Sequence, residues 1–249
     1  MKTVFIILAT IFVSCHGFVY KVDAQESNIE TYDEIPVDKL REIMRNGSSA
    51  LGIPVLDPFK LRQTEYIIRE KGFLEAQGYL RNMQADNLSN FVAIKADYTI
   101  IGLKINLHLK WDSIKLVTDY SIIGNLGDML SIYGLGEIDA TAQGLELNVT
   151  MGLSIKDNGD LFVRSFESGI KLKALDIKIT GLFHDEPVSK IVSTILSDMI
   201  PQLIDDYQQE LTGKFNTLAT NTINKLLKGK TLWDLISIIS PSENEPIIY

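Results

Sequence analysis

The sequence has 249 residues, 45% of them hydrophobic and 22% charged, with a formal net charge of −8. This is a globular composition, long enough for a sizeable core. Its acidity argues against nucleic acid and against anionic membrane surfaces as partners, because both demand basic patches; the only cluster of lysines lies at Lys225–Lys230.

Residues 1–24 read as a secretory signal. Lys2 precedes the apolar run Val4–Val13, and small residues lead to cleavage positions after Gly17 or Ala24. The run of about ten residues is far short of the roughly 20 that span a bilayer, and no later stretch reaches that length. No transmembrane segment is expected, and the location implied is secreted and extracellular. The single cysteine, Cys15, lies inside this segment, so the mature chain has neither thiol nor disulfide and must stand on its buried core. Sequons at Asn46, Asn87 and Asn148 are candidate glycosylation sites on an exported chain. The expected division is a polar linker over 25–35, one domain over 36–229 and a tail over 230–249.

Within the domain, Val37, Leu40, Ile43 and Met44 sit at helical spacing between Pro36 and Ala50. In the following "GIPVLDPFKL", Gly52–Leu61, two prolines forbid helix and force an extended entry into the first strand. From Phe59 to Phe183 the pattern is mostly period two, broken by Gly, Asn and Asp, which predicts antiparallel strands with no interleaved helices.

Two near-identical stretches fall in this region, "DYTIIG" at Asp97–Gly102 and "DYSIIG" at Asp119–Gly124. Each is expected to close a strand and turn, with one long bent strand between them. Along that strand Leu103, Ile105, Leu107, Leu109 and Trp111 share one parity, and after Asp112–Ser113 the apolar face passes to Ile114, Leu116, Tyr120 and Ile122. Such a phase change predicts a bulge that bends the strand while keeping the same face inward. A second switch falls at Ala174–Leu175. "KDNGDL" at Lys156–Leu161 predicts a hairpin on Asn158–Gly159.

From Pro187 to Leu227 the apolar residues return to helical spacing. This predicts one helix of about 40 residues, started by Asp185 or Glu186, kinked near Pro201 and stopped by Gly229. At 1.5 Å per residue it is roughly 60 Å long, matching the bent strands. The fold class expected is α+β: a long, strongly curved antiparallel β-sheet wrapped around a long C-terminal α-helix, one elongated domain. A sheet wrapped on a rod rarely fills the space between, so an elongated apolar cavity is expected.

Three stretches resemble the insect juvenile hormone binding protein and takeout family, a branch of the tubular lipid-binding superfamily. "GIPVLDPFKL" is similar to the family's proline-bearing entry to its first strand. "YSIIGNLGDMLSIYGLG", Tyr120–Gly136, is similar to its tyrosine, a glycine four later and then Gly-x-Gly. "ITGLFHDEPVSKIVSTILSDMIPQLIDDYQQEL" resembles its strand-to-helix junction and long C-terminal helix. The similarity runs over roughly Glu34–Leu227. The family's N-terminal cysteine pair is missing, as in the disulfide-free mite group-7 allergens that share the fold, and His184–Asp185 replaces its Asn-Gly after Leu-Phe. The resemblance implies a single secreted domain that binds one elongated hydrophobic small molecule.

The chemistry-bearing residues point away from catalysis. Without Cys15 and His16 there remain His108, on the polar face of its strand, and His184, in a junction, neither with a partner at metal or triad spacing. "KDNGDL" is too short for a calcium loop, and Asp205–Asp206 reads as a polar helix face. No metal and no cofactor is implied. A ligand site must therefore draw on the apolar stripes: Leu107, Leu109, Trp111, Tyr120, Ile122, Leu147, Met151, Phe162 and Phe166 on the strands, with Ile195, Met199, Leu203 and Tyr207 on the helix. Tyr120 and Tyr207 offer hydroxyls for a ligand's polar end. The reading is a secreted carrier of a juvenile hormone-like terpenoid, fatty acid or similar lipid, with a cell-surface receptor as a candidate partner. The alternative is a secreted interaction or pattern-recognition protein with a packed interior, binding a receptor or microbial lipid at its surface.

Overall fold

The computed structural model describes residues 33–49, 53–70, 74–99, 102–127 and 130–232; the signal segment, most of the linker and most of the tail lie outside them. The elements are β1 (Asp33–Glu34), α1 (Val37–Asn46), β2 (Phe59–Glu70), β3 (Leu74–Asp86), β4 (Phe91–Thr99), β5 (Lys104–Leu126), β6 (Leu130–Ile155), β7 (Leu161–Ile179), α2 (Glu186–Asp206) and α3 (Gln208–Leu226). All seven strands join one antiparallel sheet. No described helix is long and apolar enough to cross a membrane.

The sheet is organised around β5, which is 23 residues long. One of its edges pairs with β6 over its whole length. The other is shared: β4 takes Lys104–Trp111 and β3 takes Lys115–Leu126. β6, at 26 residues, would reach on the order of 80 Å if straight, several times the usual strand length. The hairpin between β6 and β7 turns on Gly159 at φ +87°, as its sequence predicts. Asp33–Glu34, at the end of the segment read as linker, pairs with Asp97–Tyr98 of β4, and Ile35 is buried behind it.

The two sequence echoes have different fates. The first ends β4 and turns, with Gly102 at φ +86° and Leu103 at φ +48° before β5 starts. The second lies in the interior of β5 and does not turn: Gly124 pairs with Ala76 on one side and Ile132 on the other. A Cβ there would stand 2.2 Å from the Glu75 carbonyl oxygen. Its glycine is required by the close approach of a neighbouring backbone, a reason that no local sequence pattern distinguishes from a turn.

The expected phase switch is present, with the buried face passing from Leu107, Leu109 and Trp111 to Thr118 and Tyr120. Its mechanism differs from the expected bulge, because the β5–β6 register is the same on both sides: Trp111 pairs with Leu145 and Ser113 with Gln143. The switch instead runs across three strands at Asp112, Gly144 and Lys173, with Gly144 at φ +61° supplying the backbone angle. Register shifts appear on the neighbouring strands, at Arg81/Gln84 of β3, where Asn82 has φ +50°, and at Ala93/Lys95 of β4.

The C-terminal helical run is divided. α2 starts on Asp185, whose carboxylate accepts from the Val188 N–H at 2.9 Å, and Pro201 lies within it. The break falls at Tyr207 (φ −104°, ψ 24°), which serves both helices: its N–H donates to Leu203 O, and its carbonyl accepts from Leu211 N–H. Gly229 ends the run at φ +71°.

The helices lie along β7, and the side chains that meet its backbone are polar. The N–H groups of Val163, Ile170, Ile177, Ile179 and Leu182 donate to Asn224, Gln208, Ser197, Ser193 and Ser189, at 2.8–3.0 Å. β7 pairs with β6 alone, so its second row of backbone donors needs acceptors; Ser189, Ser193 and Ser197, four residues apart on α2, supply three of them, and Gln208 and Asn224 of α3 the others. Along α2 and into the start of α3 an apolar row on the opposite face is exposed, at Ile191, Ile195, Met199, Leu203, Tyr207 and Leu211, whereas farther along α3 Ala219, Ile223 and the following Leu227 are buried in the core, as the apolar spacing predicts.

Candidate functional site

A cavity of about 320 Å3 sits astride the phase-switch line. Its walls are Trp111, Ile114 and Leu116 of β5, Ala140, Ala142, Leu145 and Leu147 of β6, and Ile170 and Leu175 of β7, completed by Met44, Phe59, Met83, Ala85 and Leu88. Every one of these side chains is apolar or aromatic. Flanking residues point the same way because parity changes at Asp112, Gly144 and Lys173 together, so one continuous apolar face passes through the bend. The hollow itself follows from small residues in the wall: Ala140 and Ala142 stand in register with Leu116 and Ile114, and Ala85 pairs with Leu116 from the other side.

The N-terminal segment closes one end. Ile53, Leu56 and Phe59 of the proline-bearing stretch are buried, and the N–H groups of Leu56 and Asp57 donate to the Met44 carbonyl at the end of α1. The Asp57 carboxylate accepts from the N–H groups of Asn87 and Ser89 and from the Ser89 hydroxyl, pinning the β3–β4 turn. Arg45 reaches Ser89 Oγ at 2.9 Å, and Arg41 reaches Phe91 O at 2.8 Å. This clamp positions Leu88, whose carbonyl accepts the Trp111 indole N–H at 2.8 Å, and Phe91, whose ring lies 5.6 Å from that of Trp111.

Of the residues singled out in the sequence, Trp111 and Leu147 line this cavity. Leu107, Leu109, Met151 and Phe166 are buried in the continuous core, Phe166 against Phe215 of α3 at 5.9 Å. Phe162 is half-buried, with Lys156 Nζ 5.8 Å from its ring, and Ile122 is half-buried on the Tyr120 face of β5. Ile195, Met199, Leu203 and Tyr207 are exposed on the helices, away from the cavity wall. The wall residues that sequence reasoning missed include Ala140 and Ala142, whose signal was small size on an otherwise apolar face, and Met44 and Phe59, which only tertiary packing brings in.

Tyr120 is buried, and its hydroxyl donates to Thr180 O at 2.9 Å. Burial, with the nearby Tyr66 and Glu186 adding to it, pushes its pKa up to about 12. Tyr66 is likewise raised by burial and donates to Ser121 O. The Tyr–Gly pattern of Tyr120–Gly136 has a steric origin: a Cβ on Gly134 would stand 2.8 Å from Tyr120 Oη, and one on Gly136 2.2 Å from Thr180 O.

His108 is not freely solvated as its strand parity suggested. Its Nε2 is buried without a hydrogen-bond partner, 3.5 Å from Glu146, which also pairs with Lys110 at 3.0 Å. His184 is exposed beside Tyr133. A larger groove of about 590 Å3 lies at the far end of β2, β3, β5 and β6, but it mixes Arg69, Glu75, Asn125 and Ser131 with Ile67, Ile123 and Tyr133. It is open and partly polar, so it removes little apolar ligand surface from water. The smaller cavity is the candidate site.

The family model described as haemolymph juvenile hormone binding protein matches residues 24–237. The chain belongs to that family. The fold agrees with the crystal structure of Epiphyas postvittana Takeout 1: the TM-score is 0.55 at 13% identity, covering 80% of this chain and 92% of that one. A crystal structure of lipopolysaccharide binding protein aligns with a TM-score of 0.32 at 14% identity, over 66% of this chain and 33% of that one. No curated protein sequence matches the chain. The site thus belongs to a juvenile hormone binding protein-family fold, and the cavity lies between its long bent strands and the N-terminal clamp.

Proposed function

We propose that this protein is an extracellular carrier of one small elongated hydrophobic molecule, a juvenile hormone-like terpenoid, fatty acid or similar lipid, held in the cavity astride the β5–β7 bend. The observation that carries this reading is the wall itself: an open-ended cavity lined only by apolar and aromatic side chains, inside a chain of the juvenile hormone binding protein family. Transfer of apolar ligand surface from water contributes about 25 cal/mol per Å2 before the costs of association, and no covalent step is needed. The family name and the cavity chemistry agree on a binding role. Secretion rests on the N-terminal segment read above.

The test is native mass spectrometry of the protein secreted from insect cells, followed by organic extraction. A stoichiometric lipophilic adduct, lost on denaturation, is expected. A bare mass, with no saturable uptake of fatty acid or terpenoid probes, overturns the reading. It moves the assignment to a surface interaction protein, for which the exposed row Ile191, Ile195, Met199, Leu203, Tyr207 and Leu211 is the supporting observation.

A further inference from the structure

We infer that the cavity accepts only the unfunctionalised hydrocarbon end of its ligand, with the ligand's polar group left at the opening. This rests on the carrier reading and narrows its ligands to a fatty acid, or a terpenoid with one bare hydrocarbon end, excluding a terpenoid functionalised at both ends.

Four observations lead there. Among the described residues lining the cavity, Trp111 is the only one whose side chain carries a nitrogen or oxygen, and its indole N–H is already donated to Leu88 O. The Met44 and Met83 sulfurs are only weak acceptors. Farther along the inner face, Thr118 donates to Arg81 O and Tyr120 to Thr180 O, so these hydroxyl protons are also spent within the protein. On either side of the line through Asp112, Gly144 and Lys173, the strand backbones beside the wall are paired in the β5–β6 and β6–β7 ladders. A hydroxyl, ester or epoxide pushed into this space would leave water and find no free side-chain donor in the wall, a loss that the apolar contacts do not restore. At about 320 Å3 the cavity is near the low end for ligand sites, which suits a chain terminus better than a whole lipid with its head group.

The sequence offers Tyr120 and Tyr207 as hydroxyls for a ligand's polar end; the Tyr120 proton is donated to Thr180 O, and Tyr207 is exposed on the helices away from the wall. Selectivity passes to shape. Ala142, between Ile114 and Leu175 in register, and Ala140, beside Leu116 and Ile177, set the free space along the bend. An isobutyl group at Ala142 would occupy it.

The experiment measures displacement of a fluorescent fatty acid probe from the full purified protein by dodecanoic acid and by two isomers, 2-hydroxydodecanoic and 12-hydroxydodecanoic acid. The isomers have one composition, but their hydroxyls fall at opposite ends of the chain. The 2-hydroxy acid is expected to bind within threefold of dodecanoic acid, and the 12-hydroxy acid at least about 30-fold more weakly, about 2 kcal/mol at 1.4 kcal/mol per tenfold. Ala142→Leu is expected to weaken dodecanoic acid at least tenfold. Isomers equal within threefold overturn the tail-end assignment while leaving the carrier reading intact, as does an Ala142→Leu variant that is folded by circular dichroism and binds normally. If neither the probe nor any acid binds, the carrier reading falls and this inference falls with it.

Discussion

The hydroxyl of Tyr120, on β5, donates to the carbonyl of Thr180, just past the end of β7, at 2.9 Å. Two glycines of the intervening β6, Gly134 and Gly136, leave the room for that contact. Tyr120→Phe is therefore expected to cost about 1 kcal/mol, and more if the Thr180 carbonyl stays dry. The pH dependence follows from the raised pKa. The protonated phenol is favoured in the folded state, so its stability is whole below the unfolded value near 10. It declines as pH rises from 10 to about 12, where the folded protein also ionises. Urea melts between pH 9 and 12 should show this decline, and Tyr120→Phe should flatten it. An equally steep decline in the variant would assign the pH effect to Tyr66, which burial also raises, or to other groups.

Gly144 is the one residue on the bend line with a left-handed backbone, at φ +61°, and a Cβ there would lie 2.8 Å from Lys173 Cβ. Gly144→Ala is expected to cost about 1–3 kcal/mol through backbone strain and crowding together. Gly169→Ala provides the control: its added Cβ meets only Asn148 Cβ, at 3.9 Å, and its effect should stay within about 0.5 kcal/mol. Chemical denaturation of the two variants compares them directly. Equal stabilities would mean that the switch does not depend on the Gly144 conformation.

The phase change at Asp112–Ser113 was readable because period-two alternation reports which face is buried, whatever bends the strand. Its cause was not readable, since the backbone angle sits on a different strand, at Gly144, and alternation in β5 carries no trace of it. The same limit explains the second echo, whose Gly124 answers to Glu75 and Ala76 across the ladder. α3 was legible in orientation as well, with Ala219 and Ile223 buried as their spacing predicts, but α2 was legible only as periodicity. Ser189, Ser193 and Ser197 read as ordinary polar helix positions, and only the unpaired edge of β7 gives them a structural task. For the cavity, two residues named from the strands line it, Trp111 and Leu147, while most of its wall depends on which faces the bend brings together.

Ser193 is buried, and its Oγ accepts from Ile179 N–H at 2.9 Å while donating to Ser189 O. Ser193→Ala leaves that edge amide without an acceptor, and a loss of about 1–3 kcal/mol is expected. Hydrogen exchange reads the effect locally. The Ile179 amide should exchange faster, with Ile177 and Leu182 less affected because Ser197 and Ser189 still hold them. Uniform acceleration along β7 would instead show that the helix lifts from the edge as a unit.

Glu146 stands on the outer face between Lys110, at 3.0 Å, and His108, at 3.5 Å. Its pKa is held below the usual carboxylate value, first by the hydrogen bond from Lys110, with His108 contributing less. A lowered folded pKa favours the ionised form, so the associated stability is complete above the unfolded value of 4.5 and is lost as pH falls through the lower folded one. Lys110→Met removes the dominant partner. In a carboxyl-detected NMR titration, Glu146 should then titrate closer to 4.5, and the acid limb of the stability curve should become shallower. His108→Asn should move the titration in the same direction by a smaller amount, because the lysine remains. If the histidine substitution produced the larger shift, the pair that matters would be Glu146 with His108, whose Nε2 lies 3.5 Å from the carboxylate, and not Glu146 with Lys110.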